Sequence, residues 1–569
     1  MTAAIAGAIA GGLLPIPQEW FRDGPHAVLY SWWLIPGYLK YDQITMPTDS
    51  ASLRDDRSSV PQLRHGGGLS PPSRLRHHRN TPASSIMKTS ATSRRRFLKS
   101  ATLTAASTWT ARSWSQVAGA NSDIRVAVVG FGGRGGSHIE AFSGMQGVKL
   151  VGLCDVDQKV LDGMVTIMSA KQKIEVKGYR DIRQLLDAKD VDAVSIATPN
   201  HWHALGAIWA VQSGRDVYVE KPVSHNVWEG RKLVEAARKY HKMVQTGTQS
   251  RSSRRGIAEA VQWVREGNLG KITLARGLCY KRRPSIGKTE GPQPVPDYID
   301  YDLWCGPAEK LPLRRKKLPY DWHWVWNTGN GDLGNQGIHQ MDICRWFLGE
   351  TELAPRVLSL GGRLGYDDDG ETANSQIIYQ AYEKAPLLFE VRGLPSAADA
   401  KDMDKYKGAS VGCIIHCEGG HVLVPDYNSA IAFDKDGKEI KKWSGSVDHY
   451  SNFIAAMKSR KHTDLHADVL DGHLSSALCH TGNISYRLGQ TKSPEEIEAA
   501  IKSDHDVTEA AGRMAEHLAT NKVDINTSKA TLGMALTMDG KAEKFTGNEA
   551  ANKMLTRNYR EPFVVPEKV

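Results

Sequence analysis

Between Asp123 and Gly136 the sequence reads Asp-Ile-Arg-Val-Ala-Val-Val-Gly-Phe-Gly-Gly-Arg-Gly-Gly, and Gly130, Gly132 and Gly135 carry the spacing G-x-G-x-x-G. That spacing suits a pyrophosphate. The first glycine makes a tight turn and the second lets backbone N–H groups approach phosphate oxygens. The third lets a helix pack close to the strand with its positive end on the anion. Gly133 and Arg134 complete the turn. Asp155 follows 20 residues after Gly135, where a carboxylate can hold a ribose 2′-hydroxyl. These residues point to a dinucleotide. Asp155 and Asp157 together repel a 2′-phosphate, so NAD is expected in preference to NADP. Arg134 is suited either to the pyrophosphate or to a 2′-phosphate.

A turn of this kind needs a buried parallel strand before it and a helix after it. Ile124–Val129 supplies the first, and Ser137–Phe142 is competent for the second. A strand over Lys149–Cys154 ends at Asp155. Helical and strand patterns then alternate: strand 192–197, helix 204–213, strand 216–219, helix 227–241 and strand 243–246. This rhythm predicts a doubly wound parallel sheet over residues 121–246, with ligands beyond the carboxyl ends of its strands. Thr198-Pro199-Asn200 and Glu220-Lys221-Pro222 fall at that edge, so Thr198, Pro199, Asn200, Glu220 and Lys221 are expected at the cofactor. His201 and His203 have no acid or thiol at metal spacing. They are read as lining the cofactor pocket or capping a helix, and no metal is expected.

A second domain is expected over residues 247–490. Its helix 254–267 and strand 272–280 lead to loops rich in aromatics, including Trp322, Trp324 and Trp326. Such loops stack on sugar faces or pack as core, and both readings stand. From Gln336 the sequence has helical period. Asn335, His339, Asp342 and Trp346 follow one stripe, an arrangement suited to a cleft. The run Cys413–Cys417 reads as a half-buried strand, whose positions four apart lie about 13 Å from one another, too far to share a metal. His473, His480 and Asn483 share a helix face and read as helix packing. Residues 491–569 are a helical extension and a tail without chemistry, expected to wrap the same domain or a neighbouring subunit.

The ordered set G-x-G-x-x-G, Ala197-Thr198-Pro199-Asn200-His201-Trp202-His203 and Glu220-Lys221-Pro222 resembles the Gfo/Idh/MocA oxidoreductases, named for glucose–fructose oxidoreductase and inositol dehydrogenase. The resemblance runs over residues 121–490. It implies a Rossmann NAD-binding domain followed by an α/β domain with an open, mostly antiparallel sheet that packs against another subunit, hence a dimer or tetramer. It also implies that Lys221 sits against nicotinamide and substrate, and that His339 acts as acid/base. A cation beside a carbinol oxygen would stabilise the developing alkoxide, and burial would lower the lysine pKa. Asn335 stands where the family usually has Asp. Asn cannot exchange a proton, so it is read as a hydrogen bonder to substrate. Trp324 joins Lys221, Asn335 and His339 as a candidate substrate contact.

The chain has 569 residues and a formal charge of +10. Residues 1–120 hold 14 Lys+Arg against 6 Asp+Glu, so most of the excess lies there and the remainder is nearly balanced. No nucleic-acid-binding body is expected, and no run is long and apolar enough for a membrane span. Seven scattered cysteines argue against a disulfide framework. Residues 1–86 lack sustained periodicity and are read as an extension outside the working protein. Within 87–120, Ser93-Arg94-Arg95-Arg96-Phe97-Leu98-Lys99 resembles a twin-arginine export signal, followed by an apolar stretch and the cleavage-like Ala118-Gly119-Ala120. The expected protein is therefore an exported oxidoreductase that retains NAD and acts on a secondary alcohol of a sugar, glycoside or cyclitol. A redox-neutral glycosidase or lyase that oxidises transiently is the alternative. A sugar-binding protein with structural NAD is a further one.

Overall fold

The computed structural model describes residues 123–569. The expectations for residues 1–86 and for the export signal at 87–120 lie outside the described residues. The first domain alternates strictly: β1 (Ile124–Val129), α1 (Gly135–Ser143), β2 (Val148–Cys154), α2 (Gln158–Gln172), β3 (Lys177–Tyr179) and α3 (Ile182–Asp187). It continues with β4 (Ala193–Ile196), α4 (Asn200–Gln212), β5 (Asp216–Val219), α5 (Val227–Lys239) and β6 (Val244–Thr246). The six strands form one sheet in the order β3-β2-β1-β4-β5-β6, and each pairing is parallel. Helices cover both faces. That is why β4 and β5 are wholly buried, Ser195 and Asp216 included, rather than alternating between buried and exposed positions. Polar side chains start the helices: Asp157 accepts from Val160 N–H on α2, and Asn226 accepts from Glu229 N–H on α5. Helix α4 begins at Asn200, four residues before the expected Ala204. Pro199, with φ −57°, sits at its cap and presets the helical turn. His201 and His203 therefore belong to the first turn of α4, not to a loop.

The second domain opens with a π-type turn (Arg254–Ala258) and α6 (Glu259–Arg265), then β7 (Ile272–Tyr280). A long connection follows and carries the short helices α7 (Tyr301–Cys305) and α8 (Leu318–Asp321). A second π-type turn (Leu333–Gly337) leads into α9 (Ile338–Leu348). Seven strands come next: β8 (Arg356–Gly362), β9 (Ser375–Gln380), β10 (Leu387–Arg392), β11 (Val411–Cys417), β12 (Gly420–Val424), β13 (Ser429–Asp434) and β14 (Glu439–Ser444). Then come α10 (His449–Ser459), α11 (Val469–Arg487), β15 (Gln490–Thr491), α12 (Pro494–Ile501) and α13 (His505–Thr520). The chain ends with β16 (Thr531–Leu532), β17 (Leu536–Asp539), β18 (Lys544–Phe545) and α14 (Glu549–Lys553). The sheet runs β14-β13-β12-β11-β7-β10-β9-β8-β16-β15, with β17 also on β8. It is mixed and mostly antiparallel. The pairing of β7 with β10 is parallel, with Ala275 opposite Leu387.

Alternate residues of the central strands bury against different layers. Ala275, Ile378 and Phe389 pack with Met341 and Phe347 of α9 and with Leu474 and Leu478 of α11. Their neighbours Leu274, Ile377 and Leu388 pack with Val507, Ala510, Met514 and Leu518 of α13. The family resemblance assigns such a sheet face to a neighbouring subunit. Here helices of the same chain cover it across β7–β10. Ion pairs hold α13 in place: Glu390, 1% exposed, accepts from Arg276 at 2.8 Å and from Arg513 at 2.5 Å, and Tyr280 Oη–H donates to it at 2.6 Å. The tail after α14 returns to the first domain. Phe563, fully buried, packs on Trp202 and Trp209 of α4, and Tyr559 Oη–H donates to Glu229 at 2.9 Å.

All seven cysteines are free and buried. Cys413 and Cys417 lie on β11 as expected. Among the described residues no three His, Cys, Asp or Glu side chains converge as a metal site would require. No described helix is long and apolar enough to cross a membrane.

Candidate active site

The glycine turn joins β1 to α1 at the carboxyl edge of the parallel sheet. Gly130 has φ +77°, and a Cβ there would lie 2.8 Å from Thr198 N. A Cβ on Gly135 would lie 2.0 Å from Gly130 O. These two glycines allow strand, helix and the Thr198 loop to meet. Gly132 and Gly133 differ: a Cβ at either meets nothing within 4 Å, so the turn faces open space where a pyrophosphate would approach. Thr198 Oγ1 is buried without a hydrogen-bond partner in the protein. Asp155 closes the other end. One oxygen accepts from Phe131 N–H at 2.9 Å and the other from Asp157 N–H at 3.0 Å, which leaves lone pairs for a ribose. Burial pushes its carboxyl up to about 6, against the pull of those N–H groups. The residues present fit a dinucleotide.

Arg134 turns away from Asp155. Its Nε donates to Glu220 at 3.0 Å, at the end of β5, three strands from β2 and so about 14 Å across the sheet. Glu220 also accepts from Lys221 N–H at 3.1 Å, and His138 Nε2 lies 3.1 Å from it, with His138 Nδ1 at 2.8 Å from Ser195 Oγ. Burial opposes charge on Glu220, but His138, Lys221 and Arg134 hold it well below the usual carboxylate range. Asn200 donates to Asn330 Oδ1 at 3.1 Å, joining the two domains. His203 is 2% exposed, and its ring nitrogens lie 2.6 Å from Pro222 O and 2.7 Å from Thr198 O. It braces the two loops beneath the site.

Lys221, Asn335 and His339 come together across the domain boundary. Lys221 Nζ donates to the backbone carbonyl of Asn335 at 3.0 Å, leaving the Asn335 amide free of that contact. Burial pushes the Lys221 ammonium down from its ordinary value; Glu220 opposes this, and Arg134, Lys281 and Arg283 add to it. His339 is 5% exposed, and its Nδ1 is buried without a partner. Burial, reinforced by Lys221, pushes it well below the ordinary histidine value. Its ring centre lies 4.9 Å from that of Tyr427. The Tyr427 hydroxyl accepts from Gln336 Nε2 at 2.7 Å, and Gln336 Oε1 accepts from Lys281 Nζ at 3.0 Å. Asn335 and Gln336 lie in the π-type turn, a geometry that concentrates at functional sites.

Two expectations change. Asp342 does not join His339 at the cleft. It is 1% exposed and takes a two-pronged pair from Arg251, both contacts at 2.8 Å, with Ser475 Oγ–H donating at 2.7 Å. A buried carboxylate needs such partners, and they hold Asp342 away from His339. Trp324 is 4% exposed with the Arg283 guanidinium 5.5 Å from its ring, and Trp304 and Trp322 are likewise buried. Trp304 and Trp322 share one apolar cluster, whereas Trp324 lies against Arg283.

Two family models match the chain. One, described as the NAD-binding Rossmann fold of an oxidoreductase family, covers residues 124–248, and the other, its C-terminal alpha/beta domain, covers 268–510. The chain belongs to the Gfo/Idh/MocA family of oxidoreductases. Curated relatives include Glycosyl hydrolase family 109 protein 1 of Shewanella sp. (strain ANA-3), 38% identical over 123 residues. The Alpha-N-acetylgalactosaminidase of Shewanella oneidensis is 37% identical over 123 residues. Each match covers 21% of this chain and only 27% of the relative. Among solved structures, the WlbA dehydrogenase of Bordetella pertussis in complex with NADH and UDP-GlcNAcA aligns at a TM-score of 0.46 and 19% identity. That alignment covers 63% of this chain and 93% of that one. An oxidoreductase domain protein from Kribbella flavida aligns at 0.47 and 18% identity, covering 64% and 96%.

In this Gfo/Idh/MocA chain the cleft contains groups that the motifs do not signal. Tyr427 lies in the loop between β12 and β13, Lys281 and Arg283 follow β7, and His138 lies on α1. His138, three residues past Gly135, has a sequence trace, since it shares the first turns of the phosphate helix. Tyr427 has none.

Proposed function

We propose that this protein holds NAD and exchanges hydride with a secondary alcohol of a sugar, glycoside or cyclitol. The observation that carries this reading is the meeting of Lys221, Asn335 and His339 at the edge of a sheet built for a dinucleotide. Bound nicotinamide supplies the two-electron acceptor and donor. Burial and Lys221 favour the neutral imidazole of His339, and that ring takes the proton of the substrate hydroxyl. Lys221 donates a hydrogen bond to the same oxygen and balances its developing charge. The Asn335 amide orients a neighbouring hydroxyl. Asp155 and Asp157 favour NAD over NADP, and Arg134, engaged with Glu220, is directed away from the ribose they flank.

A redox-neutral glycosidase is the second reading. The names of the Shewanella relatives favour it, and so does Tyr427 beside His339, which gives the cleft a second proton-carrying group. Oxidation would then be transient and the cofactor restored within one turnover. We also propose that the chain is exported folded along the twin-arginine route, on the strength of Ser93–Lys99.

The test is the nucleotide content and turnover of the purified protein. Acid and base extraction should release NAD in near-stoichiometric amount. Lys221→Met should lower turnover by about 10²-fold or more while leaving bound NAD unchanged. Aglycone release without NADH accumulation would select the glycosidase reading. Protein that is empty and takes up no added nucleotide would overturn both.

A further inference from the structure

The long connection of the second domain crosses the first domain at the adenosine end of its sheet. Gln158 N–H donates to Tyr298 O at 2.9 Å, and Asp300 N–H donates to Val156 O at 3.1 Å. Asp157 and Ile299 are thereby paired as in an antiparallel ladder. Lys159 Nζ lies 3.8 Å from the centre of the Tyr298 ring, and Ile299 shares an apolar cluster with Val156 and Trp304. A few residues on, the same segment reaches α4. Trp202 Nε1–H donates to Leu303 O at 2.9 Å, and His201 Nε2 lies 2.9 Å from Trp304 O. The tail fastens it from outside, with Arg560 donating to the Asp302 side chain at 2.9 Å and to its carbonyl at 2.8 Å.

The two anchor points matter because of what lies between them. Residues 156–158 follow Asp155, the ribose carboxylate, and Trp202 follows the Thr198 loop. The strands that precede them, β2 and β4, flank β1, so the segment spans the carboxyl end of β1 at the point where strand order reverses. A dinucleotide lying along that edge has its adenosine on the β2 side. The first domain alone would leave that side open to solvent.

We propose that residues 298–304 close the adenosine end of the dinucleotide site, so that nucleotide leaves only when this segment lifts from β2 and α4. The inference rests on the dinucleotide reading above and adds how the nucleotide is retained. Retention follows from topology. The segment is tied to the first domain by backbone hydrogen bonds at both ends, and the C-terminal tail ties it a third time.

The experiment measures exchange of bound NAD rather than catalysis. Full-length protein is loaded with radiolabelled NAD, diluted into excess unlabelled NAD, and sampled by gel filtration. Tyr298→Gly with Ile299→Gly, which removes the apolar contacts to Val156 and Lys159, should speed release at least about tenfold. The reverse test locks the segment. Asp157 and Ile299 form the pair without mutual hydrogen bonds, where opposed Cα atoms approach to about 4.5 Å, within disulfide range. Asp157→Cys with Ile299→Cys should retain label at least about tenfold longer when oxidised than the same variant does when reduced. Equal release from the wild type, the glycine variant and the oxidised variant would overturn the closure while leaving the dinucleotide site intact. A wild type that releases no nucleotide on acid or base extraction and takes up no label would overturn the dinucleotide reading and the closure with it.

Discussion

Replacing Gly135 by alanine tests the dinucleotide site with one methyl group. The added carbon would lie 2.0 Å from Gly130 O and 2.9 Å from Phe131 Cβ. Carbon and oxygen keep about 3 Å or more between them, so the first turn of α1 must retreat from β1 by about 1 Å. A phosphate held there at about 2.9 Å would then stand at nearly 4 Å, beyond hydrogen bonding. Two N–H contacts to a charged oxygen are worth about 1.5–3 kcal/mol each. Their loss should weaken NAD binding by about 10²- to 10⁴-fold. Gly136→Ala is the internal control, because its added carbon meets nothing within 4 Å. It should bind NAD like the wild type. Calorimetric titration of both nucleotide-free variants, with thermal unfolding to verify their folds, makes the comparison. A folded Gly135→Ala protein with wild-type affinity would refute the reasoning. So would two variants that lose affinity equally, because the effect would then not follow the geometry of the turn.

Two further predictions use the charges. Burial lifts Asp155 to about 6, so below about pH 6 the nucleotide-free protein favours its protonated form, whereas the ribose needs the carboxylate. NAD affinity should rise with pH through about 6 and level off above it. The contribution of Asp155 to stability without nucleotide should run the other way, full below about pH 4 and lost by about pH 6. Asp155→Asn should flatten both profiles, in binding titrations and in denaturant midpoints. Glu390→Gln leaves Arg276, 2% exposed, and Arg513 without their shared carboxylate. It should cost about 3–5 kcal/mol in urea unfolding and speed amide exchange in α13 without affecting β1–β6. Glu509 of α13 pairs with Arg276 at 2.7 Å, and a change of less than about 1 kcal/mol would show that this pair alone suffices to anchor the helix.

What could be read from the sequence was local. The strand, glycines and acid of Ile124–Asp155 declare their geometry because a turn and its flanking elements lie within one stretch of chain. The bounds of β5 and β7 follow from short apolar runs. Contacts between distant residues were not legible. Arg251 and Asp342 are 91 positions apart, and nothing in the helical period of α9 separates a carboxylate that faces a cleft from one that faces a buried arginine. Three residues turn a helix by about 300°, leaving Asp342 about 60° round from His339, and that is enough to change its partner. Glu220 depends on Arg134 and His138, 86 and 82 positions away. Tyr427 reaches His339 only because β12 and β13 close the sheet around it. Trp324 could serve sugar or core, and packing alone decides.

The burial of all seven cysteines sets the terms on which this molecule unfolds. The native fold presents no exposed thiol to an oxidant. An unfolded chain presents seven together, with no native disulfide to guide their pairing. Heating in air should therefore be a one-way process, with an apparent midpoint that drifts with scan rate, and a reductant should restore refolding. A measured half-life, more than an equilibrium free energy, is the proper scale for the durability of such a protein.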